Sequence, residues 1–421
     1  MLRKIVKVMD EKAIYKKKKT SKSPKDSYPD DLDLALITHY HSLREPLHGD
    51  AVEIAERFSH LIEEPSVDAI YSAVQTNLFG STDIPFPAPK KGQELFTFID
   101  LFAGIGGFRM ALQNLGGRCI FTSEWDRFSK QTYFANYGEY PFGDITKDDV
   151  KQYIPETFDI LCGGFPCQPF SLAGVSKKNS LGRSHGFDDV KQGNLFFHIV
   201  DILEKHRPKA FFLENVKNLV SHDKGNTFKV IKNHLLDLGY SFDSRVIDGK
   251  YFVPQHRERT LMVGFNKQLF GEDIKFDFDK VNLPEANHQL RSILEADPDP
   301  RFTLSDKLWN YLQEYAKKHK EKGNGFGFGL ANLNGISRTM SARYHKDGAE
   351  ILIPQPTGNP RRLTPREAAF LLGYPAEFKI PVSDTQAYRQ FGNSVVMPLI
   401  REVGRNISSI LSSCKALKQE I

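Results

Sequence analysis

From residue 95 onward the chain alternates short apolar runs with stretches of helical spacing, and each run breaks off at glycine or an acid. "LFTFIDLFAG" (95–104) is followed by the helix-like "FRMALQNLG". "RCIFTSEWD" (118–126), "FDILCGGFP" (158–166) and "KAFFLENV" (209–216) repeat the theme. A run that is apolar at successive positions has no polar face to offer water, so a strand built from it must be covered on both sides. Such strands alternating with helices predict an α/β fold, a parallel Rossmann-like sheet with helices on both faces. Sheets of this kind bind ligands beyond the carboxyl ends of their strands. The unusual residues of this chain fall at those ends.

The flanking segments are different. Residues 1–31 are lysine-rich, with "KKKK" at 16–19, and read as a solvated basic tail. In 51–62, Ile54, Phe58, Leu61 and Ile62 share a helical face, and Ser66 can cap a second helix through Ile70, Ala73 and Val74. "STDIPFPAPKKG" (81–92) is a proline-rich linker, so 1–94 is expected to be a tail and helical extension. One domain is expected over 95–266 and a smaller one over 267–380, with 381–421 returning to the first. The net charge of +5 permits nucleic-acid binding without establishing it. No apolar run reaches the ~18–20 residues that span a bilayer. Cys119, Cys162, Cys167 and Cys414 show neither disulfide-framework nor zinc spacing, so no metal and a reducing, cytoplasmic compartment are expected.

Three strand ends carry groups suited to an adenosine. In "DLFAGIGG" (100–107), Gly104 and Gly106 begin a dinucleotide fingerprint, but Arg109 stands where its third glycine belongs. That departure disfavours a pyrophosphate packed on the helix and leaves room for a smaller adenosine ligand. Glu124 closes the next run, where a carboxylate accepts from ribose hydroxyls. Trp125 offers an aromatic face, and Asp144, expected to end a third strand, can accept from an adenine amino group. Cys167 lies in "GGFPCQPFSLAG" (163–174), between Pro166 and Gln168 and close to Pro169. A thiol in a proline-stiffened loop at the sheet's carboxyl edge is placed to act as a nucleophile, whereas Cys162, inside the run, is expected to pack. Glu214, after three apolar residues, is costly to bury without a task, and a desolvated glutamate can hold and donate a proton. In "VPQHRER" (253–259), Gln255, Arg257 and Arg259 alternate, so an extended segment would aim all three the same way.

These motifs resemble those of the DNA (cytosine-5)-methyltransferases. "DLFAGIGG", "SEWD", "GDIT", "GGFPCQPFS", "QGNLFF", "LENV", "PQHRER", "RRLTPREAAFLLGYP" and "RQFGNSVV" occur in family order over about residues 96–402. Within the family the chain looks most like the Dcm and EcoRII-type bacterial enzymes, through "AGVSKKNSLGRSHGF" (173–187), "GNGFGFG" (323–329) and "PVSDTQAYRQFGNSVV" (381–396). The resemblance implies a catalytic and cofactor-binding role for 95–266 and target recognition for 267–380. The implied cofactor is S-adenosylmethionine, held by Phe102, Gly104, Gly106, Glu124, Trp125, Asp144, Leu195 and Asn393. It implies Cys167 as nucleophile, Glu214 as the acid at cytosine N3, and Arg257 and Arg259 as a clamp on cytosine and phosphate. Gln255, Arg338 and Arg343 are the expected DNA-contacting residues. The implied substrate is duplex DNA at the inner cytosine of CC(A/T)GG, flipped out of the helix by a monomer. A cognate restriction endonuclease acting on the same site is left open as a partner. The rival assignments are a tRNA cytosine-5 methyltransferase, against which the long 267–353 segment speaks, and a nonenzymatic DNA-binding regulator, against which the intact Cys167, Glu214 and Arg257 speak. A nicotinamide-dependent oxidoreductase is disfavoured by Arg109.

Overall fold

The apolar runs form one six-stranded sheet of order β2-β1-β3-β4-β6-β5. The computed structural model describes residues 30–43, 83–166, 195–324 and 327–419. In chain order these comprise α1 (Asp31–Leu43), β1 (Phe96–Leu101), α2 (Gly107–Gln113), β2 (Gly117–Ser123), α3 (Arg127–Tyr137) and β3 (Ile160–Gly164). Next come α4 (Leu195–His206), β4 (Ala210–Val216), α5 (Asn226–Asp237), β5 (Asp243–Asp248) and β6 (Glu258–Phe265). The chain closes with α6 (Asp306–Glu321), α7 (Pro365–Phe370), α8 (Asp384–Asn393) and α9 (Met397–Gln419), together with short helical turns.

Strands β2, β1, β3 and β4 run parallel, as their apolar runs predict. The sheet is nevertheless mixed, because β6 pairs antiparallel with both β4 and β5. That reversal has a consequence for the site. Val216 at the end of β4 faces Arg259 near the start of β6, so the front of β6 lies at the same edge as the carboxyl ends of the parallel strands.

Successive strand residues enter different cores. Phe98, Ile160, Cys162 and Phe212 pack on one face with Phe108 and Leu112 of α2, Phe391 of α8 and Val403 and Ile407 of α9. Ile99, Leu101, Leu161, Phe211 and Leu213 pack on the other with residues of α1, α4 and α5. The same first core runs on into Phe276, Leu290, Met340 and Leu363 of the segment between β6 and α8. The smaller recognition domain in that segment adds a cluster of its own, in which Leu304, Leu312 and Leu352 are buried.

Helix α1 is not anticipated by the sequence analysis. The helices expected at 51–62 and from Ser66 lie outside the described residues, as do residues 1–29 of the basic tail. Asp144 does not end a strand; Phe142 meets Ser123 in an isolated bridge, and Asp144 follows in the loop. No helix among the described residues is long and apolar enough to cross a membrane.

Candidate active site

A cavity of about 610 Å³ opens beyond the carboxyl edge of β1, β2, β3 and β4. That volume is within the range of small-molecule and cofactor sites. Phe102, Gly104, Glu124, Trp125, Asp144 and Leu195 line it, joined by Asn393 from the end of α8. Asn393 and Gly104, remote in sequence, thus share one cavity. Tyr374 Oη and Ser394 Oγ, 2.6 Å apart, tie the return segment into place.

The first loop is wound tightly. Phe102, Gly104 and Gly106 have φ of 56°, 55° and 82°. A left-handed Phe102 costs about 1 kcal/mol or more, a strain found mostly at functional sites. Gly106 departs from the expected role, because it does not line the cavity. It starts α2, Tyr137 Oη donates to its carbonyl at 2.8 Å, and a Cβ there would come within 2.3 Å of the Tyr137 ring. It shapes the loop from behind. Arg109 is fully buried below the loop, where its guanidinium donates to Glu139 at 2.5 and 2.8 Å.

Glu124 is held by the backbone. Its Oε2 accepts from Gly104 N–H at 2.8 Å, and its Oε1 accepts from Trp125 and Asp126 N–H at 2.9 and 2.8 Å. One lone pair of Oε2 is left for a ligand hydroxyl. Burial raises the Glu124 pKa, and the three N–H donors oppose that shift. Trp125 is 80% exposed, so its indole is open to an aromatic ligand. Glu124→Ala is expected to weaken S-adenosylmethionine binding by about 1.5–3 kcal/mol, the range of a charged hydrogen bond. Duplex affinity should change little. Calorimetric titration of both ligands checks this, and equal cofactor affinity in the two proteins removes Glu124 from the site.

A second group lines the same cavity. Glu214 is 8% exposed and accepts from Arg259 Nε at 2.8 Å. The pairing register explains the contact: Glu214 and Val216 face Leu261 and Arg259, which makes Glu214 and Arg259 diagonal neighbours on one face. Burial raises the Glu214 carboxyl, while Arg259 and Arg257 pull it back down. Asn215 Nδ2 donates to Phe165 O at 2.8 Å and so anchors the described start of the loop after β3. Phe165 and Pro166 line the cavity. Cys167, the next residue, lies outside the described residues. Burial pushes the Cys119 thiol up to about 12 and also raises the Cys162 thiol well above its ordinary value, which makes both inert packing groups.

Two expected contacts are corrected. Gln255 is fully buried, donates to Leu371 O at 3.1 Å and accepts from Met340 N at 2.8 Å. Its side-chain amide is thus taken up by contacts within the protein. Arg257 is 1% exposed; it lines the cavity, yet its terminal nitrogens donate to Met340 O, Gly392 O and Ser394 O at 2.9, 2.9 and 2.7 Å. Burial and the nearby Arg259 lower its pKa to about 9, so it stays charged at neutral pH. The alternate spacing does not aim all three side chains one way, because residues 254–257 are not part of β6: they fasten to 337–340, with Ser337 N donating to Pro254 O and His256 N to Ser337 O. Arg338 and Arg343 are both exposed in and beyond that fastened stretch.

Other cavity residues were missed. Asp126 caps α3, and Gln386, Arg389 and Gln390 lie on α8 before Asn393. Gln386, Gln390 and Asn393 recur at helical spacing, a signal that was available in the sequence.

The profile of the C-5 cytosine-specific DNA methylases matches residues 96–409. This chain belongs to that family. It is 45% identical to the DNA-cytosine methyltransferase of Escherichia coli K12 over 395 residues, covering 80% of this chain and 83% of that one. It is 48% identical to the type II methyltransferase M.SsoII of Shigella sonnei, covering 78% and 84%. The fold is that of the S. pombe Dnmt2 methyltransferase, with a TM-score of 0.57 at 17% identity over 76% of this chain and 99% of that one. The protein is a DNA cytosine-5 methyltransferase that uses S-adenosylmethionine and acts on double-stranded DNA. The cavity fits this cofactor on two observations: a backbone-held acid with a spare lone pair, and an exposed indole beside it.

Proposed function

We propose that this methyltransferase modifies the inner cytosine of CC(A/T)GG through a covalent bond between Cys167 and C6 of a flipped base. The observation that carries the chemistry is the Glu214–Arg259 pair, held at 2.8 Å beside Pro166, after which Cys167 follows in the chain. Cytosine C5 is a poor nucleophile. Addition of the Cys167 thiolate to C6 makes C5 enamine-like. Glu214 holds a proton at N3, so negative charge does not build up on the ring. Arg259 fixes Glu214 and supplies positive charge at the base. S-adenosylmethionine, when bound, supplies the electrophilic methyl group. C5 would take that methyl group, leaving S-adenosylhomocysteine. The C5 proton then passes to water, and the C5–H electrons re-form the C5–C6 double bond and expel the Cys167 thiolate, which leaves 5-methylcytosine. The base must leave the stack for this, at a cost of a few kcal/mol.

Phe102, Gly104, Glu124, Trp125, Asp144, Leu195 and Asn393 form the cofactor half of the site. Arg257 joins the catalytic and recognition halves through its carbonyl contacts and does not clamp the base. Arg338 and Arg343 are the candidates for reading guanine, since exposed guanidinium groups donate bidentately to N7 and O6. The target assignment is supported by the resemblance through the recognition segment. The enzyme works as a monomer, with a cognate endonuclease left as an open partner.

Bisulfite sequencing of methylated plasmid tests the target, because it reports product and site together. Modification at the inner cytosine of CC(A/T)GG is expected. Equal modification of CC(G/C)GG removes the reading of the central pair, and unmodified CC(A/T)GG removes the target altogether. Arg338→Ala or Arg343→Ala is expected to cost about 1–3 kcal/mol of discrimination where the arginine reads guanine. A uniform loss across sequences with a weaker salt slope marks a phosphate contact instead.

A further inference from the structure

Helix α1 precedes residues 96–409, which carry the family match, yet it is built into the catalytic half of the molecule. Every residue from Asp33 to His39 is buried. Leu34, Leu36 and Ile37 share a core with Ile99, Leu101 and Phe142. A helix this short is marginal in water by itself, so it is held by these contacts.

The polar contacts of α1 reach residues 139–142 and Lys130 of α3. Thr38 Oγ1 accepts from Tyr140 N–H at 2.8 Å while donating to Leu34 O at 2.8 Å. The His39 ring lies 4.6 Å from the Phe142 ring, with Nε2 3.8 Å from Glu139 Oε2. Asp31 receives Lys130 Nζ at 2.9 Å and Tyr140 Oη at 3.3 Å. On its other side this segment carries the cavity wall. Phe142 O accepts from Glu124 N–H at 3.0 Å, and Phe142 N–H donates to Thr122 O at 2.9 Å. Ser123 Oγ donates to Gly143 O at 2.8 Å, and Gly143, Asp144 and Ile145 line the cavity. Among the described residues the strand pairing of this segment is the single bridge to Ser123, and α1 packs against it on the other side.

We propose that α1 is a positioning element of the cofactor site. It fixes residues 139–142 from behind and thereby sets Glu124 and Asp144, so it tunes S-adenosylmethionine affinity without touching the cofactor or the DNA. Thr38 and His39 are its positioning residues. This role rests on the assignment of Glu124 and Asp144 to the cofactor, which Glu124→Ala tests separately.

The test uses the full chain with Thr38→Val, Thr38→Ser and His39→Leu. Cofactor affinity is read by calorimetry, duplex affinity by fluorescence anisotropy, and KM and kcat by methyl transfer. Thr38→Val, which removes the acceptor for Tyr140 N–H, and His39→Leu should each raise Kd and KM for S-adenosylmethionine fivefold or more. Duplex Kd and kcat at saturating cofactor should stay within twofold. Thr38→Ser keeps the hydroxyl and should bind the cofactor as the unaltered protein does. Leu235→Ala, in α5 and the same core, controls for general loss of stability; it should lower Tm and leave cofactor affinity alone. Cofactor affinity within twofold of normal in Thr38→Val overturns the proposal, as does an equal loss in Thr38→Ser or in Leu235→Ala. If Glu124→Ala leaves cofactor affinity unchanged, the cofactor assignment itself fails. If Glu124→Ala weakens binding and Thr38→Val does not, the assignment stands and the role of α1 falls.

Discussion

Cys167→Ser is expected to lower methyl transfer to duplex DNA by roughly four orders of magnitude or more, the scale on which enzymes lose activity when the nucleophile of a concerted set is removed. A serine hydroxyl is almost wholly protonated at neutral pH and is a far weaker nucleophile than a cysteine thiolate. Binding should survive. The cavity residues proposed for the cofactor stand on other segments of the chain, and Asn215 anchors the loop start through Phe165 O. Transfer of labelled methyl groups, measured beside calorimetric cofactor binding, checks both halves of the expectation. Near-normal transfer by the serine protein removes Cys167 from the mechanism. A trapped complex with a duplex carrying 5-fluorocytosine, stable in denaturant and absent with Cys167→Ser, would locate the bond at this residue.

Glu214→Gln is expected to lower kcat by about 10²–10⁴-fold, the usual contribution of a positioned general acid. Glutamine can still donate a hydrogen bond to N3 but has no proton to transfer, which separates the two roles. The pH profile carries a further sign. Burial raises the Glu214 pKa. The protonated form is therefore present at low pH and is lost as pH rises through that raised value, so kcat should fall on the alkaline side. Glu214→Gln should flatten this limb. The stability term has the same sense: a carboxyl with a raised folded-state pKa contributes most below its unfolded pKa, and that contribution fades as pH rises through the folded value. On the alkaline side of that raised value the glutamine protein should thus melt no lower than the unaltered one, apart from the loss of the Arg259 partner. A kcat within threefold of normal, or an unchanged alkaline limb, overturns the acid role of Glu214.

Much of the site was legible because its residues interrupt strong local patterns. An acid after a buried apolar run, as at Glu124 and Glu214, is conspicuous where it stands, and both line the cavity. Glycines at the end of β1 announce a tight loop, although only the structure separates Gly104, on the cavity wall, from Gly106, behind it. The segment before β6 was misread for a reason that is equally physical. Alternation tells which side chains share a face only while the backbone stays extended and free. At 254–257 the chain is bonded to 337–340, and Gln255 and Arg257 are turned into that junction. Nothing within the segment encodes a partner more than eighty residues away.

Sequence alone determined the layers of this protein. Runs apolar at successive positions demand cover on both faces, and the sheet has a separate core on each. It also determined which residue types end the strands, since each motif is a local departure from an apolar period. Tertiary structure decided three things. It reversed β6, which brought Arg259 to within 2.8 Å of Glu214 at the edge where the parallel strands end. It carried Asn393 on α8 to the wall begun by Gly104. It seated α1 behind the loop that bears Asp144. Strand direction, chain return and helix docking depend on contacts between distant segments, and the burial and hydrogen bonds that settle them exist only once those segments meet.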